Sequence, residues 1–217
     1  MSILLCFHGI GRCAIEREPG EREYWISRDT FAGVLDLVAG VGGVGVSFDD
    51  GNRSDVEVAL PELRSRGLHA TFFPLAGRLE DPASLSAADL VELRAAGMDV
   101  GSHGWRHVPF AALPEPEARR EMVDARVALA EASQGAIDEL ALPLGRYDRH
   151  ALRGLRREGY RTVYTSDRFP AKAGAWLQAR YSVSAADSVE SVRDVLLRRR
   201  PIGEAVARGK SLVKRSL

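Results

Sequence analysis

Short apolar runs alternate with helical patterns along this sequence of 217 residues, and the alternation restricts the fold more than any other feature. Runs of strand length that are rich in apolar or β-branched residues predict strands, and the amphipathic stretches between them predict helices. The candidate strands are residues 3–7, 44–48, 70–75, 98–101, 140–144, 162–165 and 180–183.

Small polar or acidic residues precede the helical stretches, where they can satisfy the first free amides of a helix. They predict helix starts at Ser27, Ser54, Ser86, Glu115, Asp148 and Ser188, and the clearest helix covers residues 115–133. Strands separated by helices of this length are parallel and joined by right-handed crossovers, which leaves an open doubly wound sheet or a β/α barrel. In both folds the loops after the carboxyl ends of the strands form the functional site.

The composition fits a single globular domain and disfavours several classes of protein. The hydrophobic content of 45% is that of an ordinary packed core. Thirty basic residues balance thirty acidic ones, so no overall field attracts nucleic acid, and no nucleic-acid partner is expected. Cys6 and Cys13 fit neither a disulfide framework nor a zinc ribbon, which favours a reducing compartment. Because no signal peptide is recognisable at the amino terminus, we expect a cytoplasmic protein.

The end of the chain differs from the rest in charge. Residues 193–217 contain eight Arg or Lys and two acidic residues, which gives a formal charge of +6. We therefore predict a barrel domain over residues 1–192 and a basic helical tail over residues 193–217. A basic, partly amphipathic helix can lie on an anionic membrane surface, so peripheral contact with the cytoplasmic face of a membrane is one expectation. A solvated helix face is the alternative.

Residues that can do chemistry follow five of the candidate strands. They are His8 after the first, Asp49 and Asp50 after the second, His103 and His107 after the fourth, Pro143 and Arg146 after the fifth, and Asp167 after the sixth. Adjacent carboxylates on an extended strand point to opposite faces. A sharp turn at Gly51 would let both reach one cavity, although Asp, Gly and Asn are also common residues of a simple turn.

The histidine spacing predicts a metal site. His103 and His107 are four residues apart, which on a helical or tightly turned segment places two imidazoles within reach of one ion. An Asp from another strand end adds one oxygen to the two nitrogens and leaves positions open for water and substrate. The same donor set occurs in non-haem iron oxygenases, although these usually have antiparallel β scaffolds, so that activity remains an alternative.

Two motifs resemble those of a known family. Ser47-Phe-Asp-Asp-Gly51 is similar to the first motif, and Ser102-His-Gly-Trp-Arg-His107 to the second, of polysaccharide deacetylases of carbohydrate esterase family 4, the NodB-homology fold. The resemblance extends from Phe7 to about Asp167. It implies a single-domain α/β fold, a distorted barrel of about seven parallel strands.

The resemblance also implies roles for individual residues. Asp50, His103 and His107 would hold a divalent metal, usually zinc, and Asp49 would be the general base. The implied reaction removes N-acetyl groups from an amino sugar, an oligosaccharide or a polysaccharide precursor. The implied partner is therefore an N-acetylated carbohydrate.

The sequence departs from the family pattern at the position of the arginine that is expected to partner the base. Typical members carry an arginine in the third motif, and here Ala141 stands at that position. Arg146 or Arg180 could replace it, and we count Arg180 among the candidate catalytic residues. Pro143, Arg146 and Trp105 are candidate substrate contacts, although a large aromatic residue at a barrel mouth more often serves packing.

The second departure concerns the catalytic acid. Most members have a histidine near the carboxyl terminus, but no histidine follows His150 here. The end of the first strand resembles that of a circularly permuted subgroup in which the acid histidine lies on the first strand. First and last strands of a barrel are neighbours, so His8 is the candidate acid. The alternative is a catalytically impaired homologue that keeps metal and glycan binding.

Overall fold

The computed structural model describes residues 2–197 and 201–216. Its strands are short, and most begin or end within two residues of the predicted runs. They are β1 Ile3–Phe7, β2 Gly9–Ile10, β3 Trp25–Ile26, β4 Val44–Asp50, β5 Thr71–Pro74, β6 Asp99–Val100, β7 Glu139–Ala141, β8 Thr162–Thr165, β9 Leu177–Ala179 and β10 Tyr181–Ser182.

Two parallel sheets combine into a closed barrel. The strand order is β10-β1-β4-β5-β6 in one sheet and β7-β8-β9 in the other. A parallel bridge between Ser102 and Leu140 connects β6 to β7. β9 and β10 are consecutive parts of one segment interrupted at Arg180, so this segment pairs with β8 through its first half and with β1 through its second. The predicted distorted barrel of seven parallel strands is thereby confirmed.

Two strand boundaries differ from the prediction for local reasons. The fifth predicted strand, 140–144, ends at Ala141 because Pro143–Gly145 form a 3-10 turn in which Leu144 has a φ of 56°. The last strand covers 177–182 rather than 180–183. The parallel pair of β2 and β3 has two residues in each strand, too few to show a period in the sequence.

Helices cover the outside of the barrel. They are α1 Arg28–Val41, α2 Leu60–Ser65, α3 Ala87–Ala95, α4 Glu115–Arg119, α5 Ala125–Ser133, α6 Arg149–Arg157, α7 Val189–Leu197 and α8 Pro201–Ser216. A π-helical turn joins α4 to α5, which confirms the predicted helix over 115–133. The side chains of Ser27, Ser86 and Asp148 accept hydrogen bonds from first-turn amides, as predicted. Ser54 instead accepts a hydrogen bond from the amide of Ile10, so it does not cap a helix.

Part of the hydrophobic core lies between the sheet and α1. Phe7 and Phe48 pair in register on β1 and β4, and Phe48 stacks on Phe72 of β5 with ring centroids 4.7 Å apart. Phe31 of α1 packs against this aromatic layer and makes an edge-to-face contact with Phe7. Because side chains alternate along a strand, Ser47 and Asp49 project from the opposite face of β4, into the barrel.

The carboxyl-terminal helices lie against this barrel. α7 continues across the predicted boundary between residues 192 and 193, and α8 packs on α6. Residues 198–200 and 217 of the predicted tail lie outside the described residues. Within the described ranges, no helix combines the length and the apolar character needed to cross a bilayer.

Candidate active site

A cleft of about 350 Å³ opens at the carboxyl ends of the barrel strands. Five predicted site residues line it together, namely His8, Asp49, Asp50, His103 and His107. They come from the ends of β1 and β4 and from the loop after β6, so the barrel edge brings together residues that are far apart in the sequence. Arg146 lies at the same cleft.

Asp50, His103 and His107 converge on one point. The Nε2 atoms of His103 and His107 lie 3.5 and 3.4 Å from the same carboxylate oxygen, Oδ1 of Asp50. The Nδ1 of His103 lies 2.9 Å from the carbonyl oxygen of Ala141, so Nδ1 carries the proton and Nε2 is left as an acceptor. Burial lowers the pKa of His103 to about 4, which keeps the imidazole neutral near pH 7.

These three residues fit a divalent cation. One donor atom from each lies within 4.8 Å of the others, and Asp50 Oδ1 is a buried oxygen without a hydrogen-bond partner in the described part of the chain. Two imidazole nitrogens with one carboxylate oxygen are the donors of many zinc sites. Cys6, His8 and Asp49 also approach one another, but the oxygens of Asp49 are already bonded to Arg180, so the first set fits better.

Glu18 supports the second histidine and was not found by sequence reasoning. Its Oε2 lies 2.5 Å from Nδ1 of His107, and its other oxygen pairs with Arg78. Burial opposes ionisation of Glu18, but its hydrogen bond and charge interaction with His107, together with the charge of Arg78, outweigh burial and lower the pKa of Glu18. A carboxylate behind a ligand histidine fixes the ring and leaves Nε2 aimed at the cation. Glu18 lies in the acidic and basic run 16–23, which has no periodicity and resembles a solvated loop.

Arg180 forms the strongest contact with the candidate base. Its Nη1 and Nη2 donate to the two oxygens of Asp49 over 2.7 Å each, and Nη1 also donates to Ser47 Oγ. Both side chains are almost fully buried. Burial opposes ionisation of Asp49, but the charge and hydrogen bonds of Arg180, together with the nearby imidazoles, outweigh burial and hold the pKa of Asp49 far below its usual range. Of the two candidate arginines, Arg180 therefore bonds the candidate base, whereas Arg146 lines the cleft.

His8 lies at the wall of the same cleft. One of its ring nitrogens is within 4.8 Å of an Asp49 oxygen, and its ring packs 4.8 Å from that of Tyr24. Its Nδ1 is buried without a partner among the described residues. His8 thus lies beside the candidate base and lines the same cleft as the predicted cation ligands.

Residues of the turn between α4 and α5 hold the segment between His103 and His107 in place. Glu121, fully buried in the π-helical turn between α4 and α5, accepts hydrogen bonds from the amides of Trp105 and Arg106 over 2.6 and 3.2 Å. The guanidinium of Arg120 lies 4.6 Å from the Trp105 ring. Neither Trp105 nor the buried Pro143 belongs to the cleft lining, so of the three predicted substrate contacts the structure places only Arg146 there.

The fold and this arrangement define a class of protein. The polysaccharide deacetylase family matches residues 39–163, more than half of the chain, and the chain belongs to that family. Bacillus subtilis protein YxkH is 24% identical over 122 residues, which cover 56% of this chain and 44% of YxkH. The match thus spans less than half the length of that curated relative.

Solved structures share the barrel. The Streptococcus pyogenes deacetylase PplD, in complex with acetate, superposes with a TM-score of 0.77 at 21% identity, over 90% of this chain and 97% of PplD. IcaB from Ammonifex degensii gives a TM-score of 0.73 at 25% identity, over 89% of this chain and 96% of IcaB. The first likeness, at this identity, supports the fold alone.

Proposed function

We propose that this protein is a metal-dependent N-deacetylase that removes acetyl groups from an N-acetylated amino sugar, oligosaccharide or polysaccharide precursor. One observation carries the proposal. In a member of the polysaccharide deacetylase family, three residues that could hold a cation line one cleft with Asp49, which is paired with the buried Arg180. The acetate bound in the PplD structure, which has the same fold, supports a site for an acetyl group.

Asp50, His103 and His107 would hold the cation. When bound, a divalent cation supplies a Lewis acid that polarises the substrate carbonyl and makes water more acidic. The two imidazoles and one carboxylate favour zinc over the oxygen-preferring magnesium and calcium.

Asp49 is the proposed general base. Arg180 keeps Asp49 ionised and holds both of its oxygens at fixed positions, so the carboxylate can take a proton from the attacking water. The water oxygen forms a bond to the acetyl carbon as the proton moves to Asp49. The low pKa of Asp49 makes it a weak base, so its contribution depends on close placement and on the acidity of that water.

His8 is the proposed acid. It lies on the wall of the cleft beside Asp49, where it can give a proton to the amine nitrogen as the carbon–nitrogen bond breaks. The amide and one water thus become acetate and a free amine. Arg146, at the cleft mouth, is the proposed contact for sugar hydroxyls.

Acetate release from N-acetylated sugars tests the proposal. With Zn²⁺ present, the wild-type chain should release acetate, and Asp49→Asn should lose a factor of about 10² or more in rate while it keeps its bound metal. Asp36→Asn, an exposed carboxylate paired with Arg66, is the matched control and should keep full activity. Stoichiometric metal binding without acetate release from any N-acetylated glycan would reject the proposed activity in favour of a binding role.

A further inference from the structure

The face of α8 that meets the barrel is polar. Ser211 is 1% exposed, and its hydroxyl lies 3.0 Å from the hydroxyl of Tyr147. The Nζ of Lys214 donates to Asp167 over 2.6 Å and to the carbonyl of Gly145 over 2.8 Å. These contacts fix the rotation of the helix about its axis.

The opposite, outer face of α8 is apolar. Val206, Leu212 and Val213 are 56%, 61% and 57% exposed. Val206 lies at the edge of this face, where it also lines the cavity between α8 and the barrel. Val206 and Val213 are seven residues apart, so they lie on the same side of the helix, with Gly209 between them. A surface helix normally turns its apolar stripe toward the core, and α8 reverses this pattern.

Basic residues flank this outer face. α8 carries four basic residues and one acidic residue, so the helix is strongly cationic. Lys210 and Arg215 lie on either side of the apolar stripe and are both exposed. Lys210 also lines the cavity between α8 and the barrel, and the Arg215 side chain also bonds Tyr147. In the sequence, three further arginines, residues 198–200, directly precede the helix and lie outside the described residues.

We propose that the outer face of α8 is a docking surface for an anionic lipid bilayer. Its valine and leucine side chains would enter the acyl boundary while the flanking cations meet anionic headgroups. A second copy of the chain fits less well, because a two-fold contact through this face would bring the same basic residues together. The inference is independent of the proposed enzymatic activity.

Vesicle sedimentation with the full chain tests this inference. The wild type should bind vesicles that contain phosphatidylglycerol and bind pure phosphatidylcholine vesicles far more weakly. The triple substitution Val206→Ser, Leu212→Ser, Val213→Ser should lower partitioning at least about tenfold. Lys210→Ala and Arg215→Ala should each lower it roughly fivefold on anionic vesicles. Val127→Ser, which alters a valine of α5 that is 51% exposed, is the matched control and should bind like wild type.

Circular dichroism and thermal unfolding verify that the variants stay folded, as expected for exposed positions. Equal binding of wild type and the triple variant would overturn the inference, as would absence of binding to anionic vesicles. A concentration-dependent dimer in sedimentation velocity that the triple variant abolishes, without any vesicle binding, would also overturn it and assign the face to a second copy.

Discussion

Removal of Arg180 should expose how far the barrel depends on one buried ion pair. Arg180 and Asp49 are 0% and 1% exposed, and the guanidinium fork bonds both carboxylate oxygens. Arg180→Met keeps an unbranched side chain but leaves the Asp49 charge buried without its main partner. Removal of one partner of such a pair costs about 3–5 kcal/mol. We expect a loss in this range at pH 7.

The matched control is Arg66, which forms ion pairs with the exposed carboxylates of Asp36 and Glu62. Arg66 bonds Asp36 over 2.7 Å, but the Asp36 side chain is 67% exposed. Solvent screens this interaction, so Arg66→Met should cost no more than about 1 kcal/mol. The double substitution Arg180→Met, Asp49→Leu removes both buried charges and should recover most of the stability lost in Arg180→Met, because an apolar pair of similar volume is often as stable as a buried ion pair.

The loss should depend on pH in a defined direction. In the wild type the folded pKa of Asp49 is lowered, so its stabilisation is present above the unfolded pKa of about 3.9 and is lost as the pH falls through the lower folded value. Without Arg180, burial raises the folded pKa of Asp49 above the unfolded value. The variant should then lose stability as the pH rises from about 4 through that raised pKa.

Urea unfolding followed by tryptophan fluorescence at about pH 4, 5.5 and 7 measures these differences. The gap between wild type and Arg180→Met should widen toward pH 7. A gap that stays constant with pH, or a cost at Arg180 no larger than at Arg66, would show that Arg180 does not neutralise Asp49.

Two further predictions concern the support of the histidines. Glu18→Gln should weaken Zn²⁺ binding, measured by chelator competition, by a factor of about 10 to 100, because the carboxylate behind His107 is lost; Glu16→Gln, on the exposed part of the same loop, should leave it unchanged. Gly104→Ala should cost more stability than Gly159→Ala in thermal unfolding. Both glycines have positive φ, 86° and 77°, but a Cβ at Gly104 would lie 2.7 Å from Oε2 of Glu121, whereas Gly159 faces open space. Equal losses of stability would show that the Glu121 side chain moves to make room for the added methyl group.

Much of the architecture followed from the sequence because parallel strands place all their carboxyl ends at one edge. The strand-end residues His8, Asp49, Asp50, His103 and His107 were therefore expected to meet, and all five line one cleft. The seven-stranded barrel followed from the same alternation. Short apolar runs fix where strands lie, although they do not fix the final residue of each strand.

The supporting contacts could not be predicted in the same way. Glu18 reaches His107 across 89 positions, from a loop whose charges have no period. The sequence could not decide whether Arg146 or Arg180 bonds Asp49. Arg180 does so because the strand is interrupted between β9 and β10, where this side chain turns into the barrel. Such contacts depend on where loops and strand breaks place long side chains, and neither propensity nor hydrophobic pattern encodes that placement.

The sharp turn at the end of β4 gives the adjacent carboxylates of Asp49 and Asp50 different surroundings. On a regular strand Asp49 and Asp50 would face opposite sides of the sheet. Asp50 has a φ of 72° and Gly51 a φ of 67°, so the chain turns at once. A Cβ at Gly51 would lie 2.9 Å from Cα of Pro74, so only glycine fits this turn. The turn gives Asp49 a cationic partner inside the barrel and places Asp50 Oδ1 between two imidazoles, where it has no hydrogen-bond partner among the described residues. Two identical side chains thus acquire different electrostatic surroundings, as the proposed roles of base for Asp49 and cation ligand for Asp50 require.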